Sequence, residues 1–351
     1  MTAPTLSPAE YLSFVEGEYL ASYVARGGAA VKLLAVGTEA TRQELAGGFG
    51  NIGRPGNVGG LGNVSGSDGL GEVGGGFVHA TVDAATTKVH LIDQVFTAIA
   101  RQVDWIALAT AVVRAALDRV AFPAPDGPAA GRRDHLDLTA IARHHDVDAA
   151  ELYRSARRAI EQMVLRDTEL SHEFRTAMLR LCQERLGRGD LTATERETVI
   201  GWLHGERLPA ADLRRVSLHS KVTRYNARPL LLSLTRWLRI AGHAGLVLHL
   251  DLGRLAVTRR PPVGLRDGFY YTKAAALDAY EVLRQLIDAM DEFEGLFVAV
   301  QIPSSLVHDE TRGLPAYTAL QLRVVDEVRD RHRANPYAAL VRIGPQLEVT
   351  T

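Results

Sequence analysis

The chain has 351 residues, 46% apolar and 23% charged, enough to bury a sizeable core in one large domain or two smaller ones. Its 40 basic and 41 acidic side chains nearly cancel, which argues against a globally basic, histone-like nucleic-acid binder. The single cysteine, Cys182, excludes an internal disulfide and any cysteine-based zinc or iron–sulfur centre, and no apolar run reaches the roughly 20 residues of a membrane span, so a cytoplasmic protein with no membrane partner is expected.

Ser7-Pro8-Ala9-Glu10 reads as a capping box with proline at the first helical position, followed by Tyr11, Phe14, Val15, Tyr19, Leu20 and Tyr23 at helical spacing up to Gly27-Gly28. Val31–Val36 is a short buried strand ending at Gly37. Residues 47–76 hold fourteen of the 32 glycines, and part of the stretch repeats every six residues, as in Gly50-Asn-Ile-Gly and Gly56-Asn-Val-Gly. Three loose copies cannot bury a core, so this is read as a glycine-rich insertion. Phe77–Val82 is a second strand, and Leu91–Val120 is one long apolar-periodic helix. Pro123–Pro128 breaks the chain, and helices alone follow to about residue 220: 138–145, 149–166, 171–186 and 193–203. A helix over 229–241, a strand over Leu246–Leu250 running into Asp251, a helix over 272–290 and a strand over Leu296–Val300 complete the pattern. Strands separated by helices imply an α/β fold with a mostly parallel sheet. The expected division is residues 1–125 as the first half of the core, 126–222 as a helical insertion or lid, and 223–351 as the second half.

Ligands of parallel sheets sit at the carboxyl ends of the strands. Gly37-Thr-Glu-Ala-Thr41-Arg42-Gln43-Glu44 occupies the place of a phosphate-binding loop, but Arg42 stands for the second glycine, Gln43 for the lysine and Glu44 for the magnesium-binding hydroxyl. None of the four lysines (Lys32, Lys88, Lys221, Lys273) follows a glycine, so no intact loop lies elsewhere. Residues 37–44 are therefore either a degenerate nucleotide loop or a plain strand-to-helix turn. Asp251, after an apolar strand, is placed like the carboxylate that holds Mg²⁺ in the Walker B motif, or else caps the next turn; Leu252 stands where an ATPase carries its catalytic glutamate.

These segments together resemble the ATP-binding proteins of BREX-type phage-defence systems, a P-loop family related to AAA+ ATPases. The matching phrases are Tyr19–Gly28, Gly76–Asp83, Gly201-Trp-Leu-His-Gly-Glu206, Asn226–Asp251, and Arg312–Tyr317 with Leu322-Arg323. The resemblance implies an AAA+-like core in a multi-subunit assembly, with other defence subunits as partners, oligomer formation, and ATP with Mg²⁺ as the cofactor to consider. It places Gln301 like a polar sensor, and Arg312 and Arg323 like arginines that reach a neighbouring subunit's phosphate; strand-end bonding and surface ion pairs are the alternatives. With the glycine, lysine, hydroxyl and glutamate all replaced, the reading adopted is a degenerate, pseudo-ATPase scaffold or regulator. An active or partner-completed ATPase using Asp251 is the alternative. A third reading takes the basic 207–239 segment, with Arg214, Arg215, Lys221, Arg224 and Arg228, as a DNA-contacting surface: residues 201–260 carry eleven basic side chains against three acidic. The histidines at 135, 144, 145 and 172 lack the spacing of metal ligands, so no metal site is expected.

Overall fold

The computed structural model describes residues 4–53, 75–125, 136–187, 191–325 and 333–344. Most of the glycine-rich insertion, including its six-residue repeats beyond Gly53, lies outside the described residues. The chain forms two compact units, residues 1–99 with 243–351, and residues 100–242.

In the first unit the capping box is present as read: the Ser7 hydroxyl accepts from the Glu10 amide, and the Glu10 carboxylate accepts from the Ser7 amide at 2.9 Å. Helix α1 (Pro8–Phe14) continues through a π-helical stretch over Val15–Ala21 to strand β1 (Ala29–Val36). Thr38 caps helix α2 (Glu39–Phe49), and strand β2 (Gly75–Asp83) leads to helix α3 (Ile92–Ala100).

The second unit is helical: α4 (Trp105–Arg119), α5 (Leu138–His144), α6 (Ala149–Leu165), α7 (His172–Arg185), α8 (Ala193–Leu203), α9 (Ala210–Arg215) and α10 (Ala227–Ile240). It takes in α4 and α10, which lie outside the 126–222 segment marked by composition. The single helix expected over 91–120 is instead two, α3 and α4, because Asp104 starts a new helix by accepting from the Ala107 amide, while the Trp105 indole donates to the Ala100 carbonyl at 2.8 Å. Trp105, Phe174 and Trp237 form a chain of edge-on rings with centroids 6.0 and 6.3 Å apart. Cys182 is buried beside the Ala109 carbonyl, and burial raises its thiol pKa, so it packs rather than reacts.

The chain then returns to the first unit with strand β3 (His243–Asp251), helix α11 (Lys273–Asp288), strand β4 (Leu296–Pro303), helix α12 (Thr318–Val324) and strand β5 (Leu340–Ile343). The five strands are all parallel, in the order β2-β3-β4-β1-β5. Nearly every residue of β3 and β4 is buried, as expected of strands covered on both faces. Tyr11, Leu20, Leu45, Phe49, Val247 and Phe297 belong to one apolar cluster that seats α1 and α2 on the sheet. With twelve α-helices among the described residues, the architecture is α/β around a parallel sheet, as a P-loop-like domain requires. Among those residues no single helix is long and apolar enough to cross a membrane.

Candidate functional site

From β1 the chain crosses to the far edge at β2, works back through β3 and β4 to lie beside β1, and ends with β5 on the other side. Connections leaving β1 and β4 therefore diverge, and a crevice opens beyond the carboxyl ends of the strands. A cleft of about 370 Å³ lies there, within the usual range for small-molecule sites. Its walls include Gly37 and Thr38 after β1, Glu39 and Arg42 from α2, Asp83 at the end of β2, and Arg254 beyond β3.

The register puts Asp83, Asp251 and Gln301 side by side across β2, β3 and β4. Asp251 is buried; one carboxylate oxygen accepts from the Gly253 amide at 2.8 Å, and the other accepts from the Arg42 guanidinium at 3.0 Å. Arg42 also grips Glu39 through two bonds of 2.8 and 2.7 Å, so it spans two carboxylates. The Glu39 bonds, with desolvation opposing them and Asp251 adding attraction, raise the Arg42 pKa and lower that of Glu39. Gly253 leaves room for this pair, since a Cβ there would lie 2.6 Å from an Arg42 nitrogen. Arg254 in turn is held by Asp267 through two bonds of 2.9 Å.

The other residues of the 37–44 loop take varied roles. Gly37 is exposed at the lip, and the Thr41 hydroxyl is buried against that of Thr38 at 2.8 Å. Gln43 is exposed and donates to Glu39 at 3.1 Å, while Glu44 is exposed on α2 and does not line the cleft. Beneath the cleft, Gln301 is fully buried and its Oε1 lies 3.2 Å from His249 Nε2; the Gln301 amide nitrogen and His249 Nδ1 have no partner among the described residues. Burial, opposed by the Gln301 bond and the Asp251 charge, lowers the His249 pKa.

Arg312 is buried, donates to the Leu255 carbonyl at 2.7 Å and to the Tyr271 carbonyl, and is not presented to solvent. Arg323 pairs with Asp288 and donates to the Ala319 carbonyl. In the helical unit, Arg214 and Arg215 are exposed at the end of α9 with Arg215 3.4 Å from Asp212. Lys221 lines a separate cavity of that unit, Arg224 stacks on the exposed Tyr225 ring at 4.7 Å, and Arg228 lies in the first turn of α10. Among the described residues no group of three His, Cys, Asp or Glu side chains could hold a metal ion.

Sequence reasoning missed Glu39, Asp83, Arg254 and His249. Asp83 carried a readable signal, since it ends an apolar strand just as Asp251 does. Glu39 carried a local signal as well, since it stands three residues before Arg42 on α2, whereas the pairing of Arg254 with Asp267 spans 13 residues and no helical spacing reveals it.

No curated protein and no solved structure matches the chain. A family model matches residues 135–348, a stretch that contains Asp251 and Gln301 but not the 37–44 loop, and the chain thereby belongs to the family of the BREX system ATP-binding protein BrxC/D.

Proposed function

We propose that the chain is a subunit of a BREX defence assembly in which an AAA+-like P-loop scaffold persists without the chemistry of ATP hydrolysis, serving as scaffold or regulator for other subunits. Family membership supports the first part. The observation that carries the second is the ion pair between Arg42 and Asp251. A magnesium–nucleotide complex needs a free carboxylate for the hydrated metal, a lysine and unobstructed backbone amides for the phosphates, and a hydroxyl on the metal. Here Arg42 engages the carboxylate, the Thr41 hydroxyl is spent on Thr38, no lysine among the described residues lines the cleft, and Glu39 and Asp83 bring negative charge to it. The residues present therefore fit triphosphate and Mg²⁺ poorly, and no hydrolytic step is assigned to them.

Calorimetric titration with ATP and ADP, with and without Mg²⁺, tests this reading. No heat and no thermal stabilisation up to millimolar nucleotide are expected, with phosphate release at background in the wild type and in Asp251→Ala. Micromolar, magnesium-dependent binding lost in Asp251→Ala would overturn it. Turnover that emerges only with a neighbouring subunit would favour a partner-completed ATPase, in which Arg42 leaves Asp251 for a phosphate; the half-exposed Arg42, held to Asp251 by one hydrogen bond, allows that movement.

A further inference from the structure

Between β3 and α11 the chain runs out and back over residues 256–270, and both feet of this loop are tied down. The buried Arg312 donates to the carbonyls of Leu255 and Tyr271, so one guanidinium staples the outgoing chain to the returning one. Arg254 and Asp267 form a second tie, bidentate at 2.9 Å. The third is backbone: the Phe269 amide donates to the Ala85 carbonyl at 2.8 Å, and Gly268, at φ +134°, passes so close that a Cβ would lie 2.2 Å from that oxygen.

Beyond these ties the tip reads Thr258-Arg-Arg-Pro-Pro-Val-Gly-Leu-Arg266, with three arginines and no carboxylate. All three arginines are exposed, and among the described residues Arg259 and Arg260 have no ion pair or hydrogen bond. Val263 and Leu265 are 77% and 74% exposed, and with Val257 and Phe269 they make up four of the nine exposed large apolar side chains of the described residues. A loop stapled three times at its base and left bare at an apolar, cationic tip is built to meet something.

The chemistry of the tip narrows what that is. At the tip two exposed aliphatic side chains stand among three exposed arginines and no carboxylate, so positive charge dominates its surface. The tip is neither an amphipathic helix nor an acyl chain, and its three arginines fall short of the basic clusters of about four to eight residues that hold a protein at an anionic membrane surface. Arginines flanking a small apolar wedge that includes proline and leucine fit the minor groove of B-form DNA, whose narrow, strongly negative floor attracts arginine and whose base steps open to apolar side chains. We propose that residues 258–266 form a duplex-DNA-binding element, with Arg259, Arg260 and Arg266 on the groove and its phosphates and Val263 and Leu265 wedged at a base step. This element is a different stretch of chain from the 207–239 segment, and its proposed role does not depend on nucleotide binding.

Fluorescence anisotropy of the full chain with a short A·T-rich duplex, titrated over a range of salt, tests the proposal. R259A/R260A/R266A is expected to weaken binding about tenfold or more and to reduce the slope of log K against log salt by about three, one unit for each phosphate no longer neutralised. A wedge at a base step kinks the duplex, so V263S/L265S should keep the salt slope but abolish the kink that the wild type induces, read as end-to-end energy transfer in a doubly labelled duplex. The proposal fails if the arginine variant, shown by its thermal transition to be folded, binds duplex as the wild type does. It fails equally if the wild type binds only anionic phosphatidylserine vesicles and no duplex.

Discussion

At the scale of single residues, the polar groups under the cleft matter most. The His249 ring stacks on Phe49 with centroids 5.7 Å apart, and burial keeps the imidazole neutral below the 6.5 of a free histidine. The unfolded chain takes up a proton as pH falls through 6.5 while the native one resists, so this contribution to stability is complete above that pH and is lost below it. His90 and His204 are lowered by burial in the same sense. The urea midpoint should therefore fall between about pH 7 and 5, and His249→Gln should make that fall shallower without abolishing it. An unchanged slope would show that His249 titrates freely in the native state. Lys32 offers a second test: its ammonium donates to the Tyr337 and Ala338 carbonyls at 2.6 and 3.1 Å and sits over the Tyr19 ring. Lys32→Met leaves those carbonyls without their donor and should cost about 1–3 kcal/mol in urea unfolding. Asp251 and Gln301 were legible as strand-end polar groups because strand ends can be read from apolar runs. The pairing of Arg42 with Asp251 was not, since 209 residues separate them and the sequence marks Arg42 only as a missing glycine.

At the scale of elements, the caps and long strands could be read because their causes are local. The serine–glutamate box before α1 was read directly; the threonine–glutamate box before α8 is just as local, within four residues, but went unread. The glycine-bounded entry to β3 is equally local in sequence, yet its reason is tertiary. Gly245 has φ +149°, and a Cβ there would lie 2.1 Å from the Gly295 carbonyl oxygen, just where Leu246 donates to that same oxygen at 2.7 Å. Gly245→Ala must strain this dihedral and push apart the starts of β3 and β4, at about 3 kcal/mol, whereas Gly264→Ala in the open loop tip should be nearly neutral. Urea unfolding of the two variants checks the contrast. The break between α3 and α4 was hidden because apolar spacing continues through it; only Asp104 marks it, and Asp104→Ala should cost about 1 kcal/mol as a lost cap. Strand β5 went unread for a different reason: its four residues are too short to show a period, and it exists because Leu33–Val36 lends it a parallel edge.

At the scale of the whole molecule, strand order and family membership point the same way while the cleft chemistry diverges from both. The α/β class was legible from alternating elements, but the order β2-β3-β4-β1-β5 was not, because pairing between strands distant in the chain leaves no local trace. That order is what brings Asp83, Asp251 and Gln301 into one row at the carboxyl ends of β2, β3 and β4. On the proposed scaffold reading, shape and partner surfaces matter and cleft chemistry does not, so loss of the Asp251 carboxylate and damage to the sheet should have different consequences. In cells carrying the complete defence system, Asp251→Ala, chosen because it removes the strand-end carboxylate paired with Arg42, should leave phage plating as restricted as in the wild type. Gly245→Ala, which forces the sheet apart, should relieve restriction in proportion to the fall in soluble protein. Full loss of restriction in an Asp251→Ala protein that is folded and abundant would mean that the cleft works chemically inside the assembly, with Arg42 displaced by a ligand that the partners help to bind.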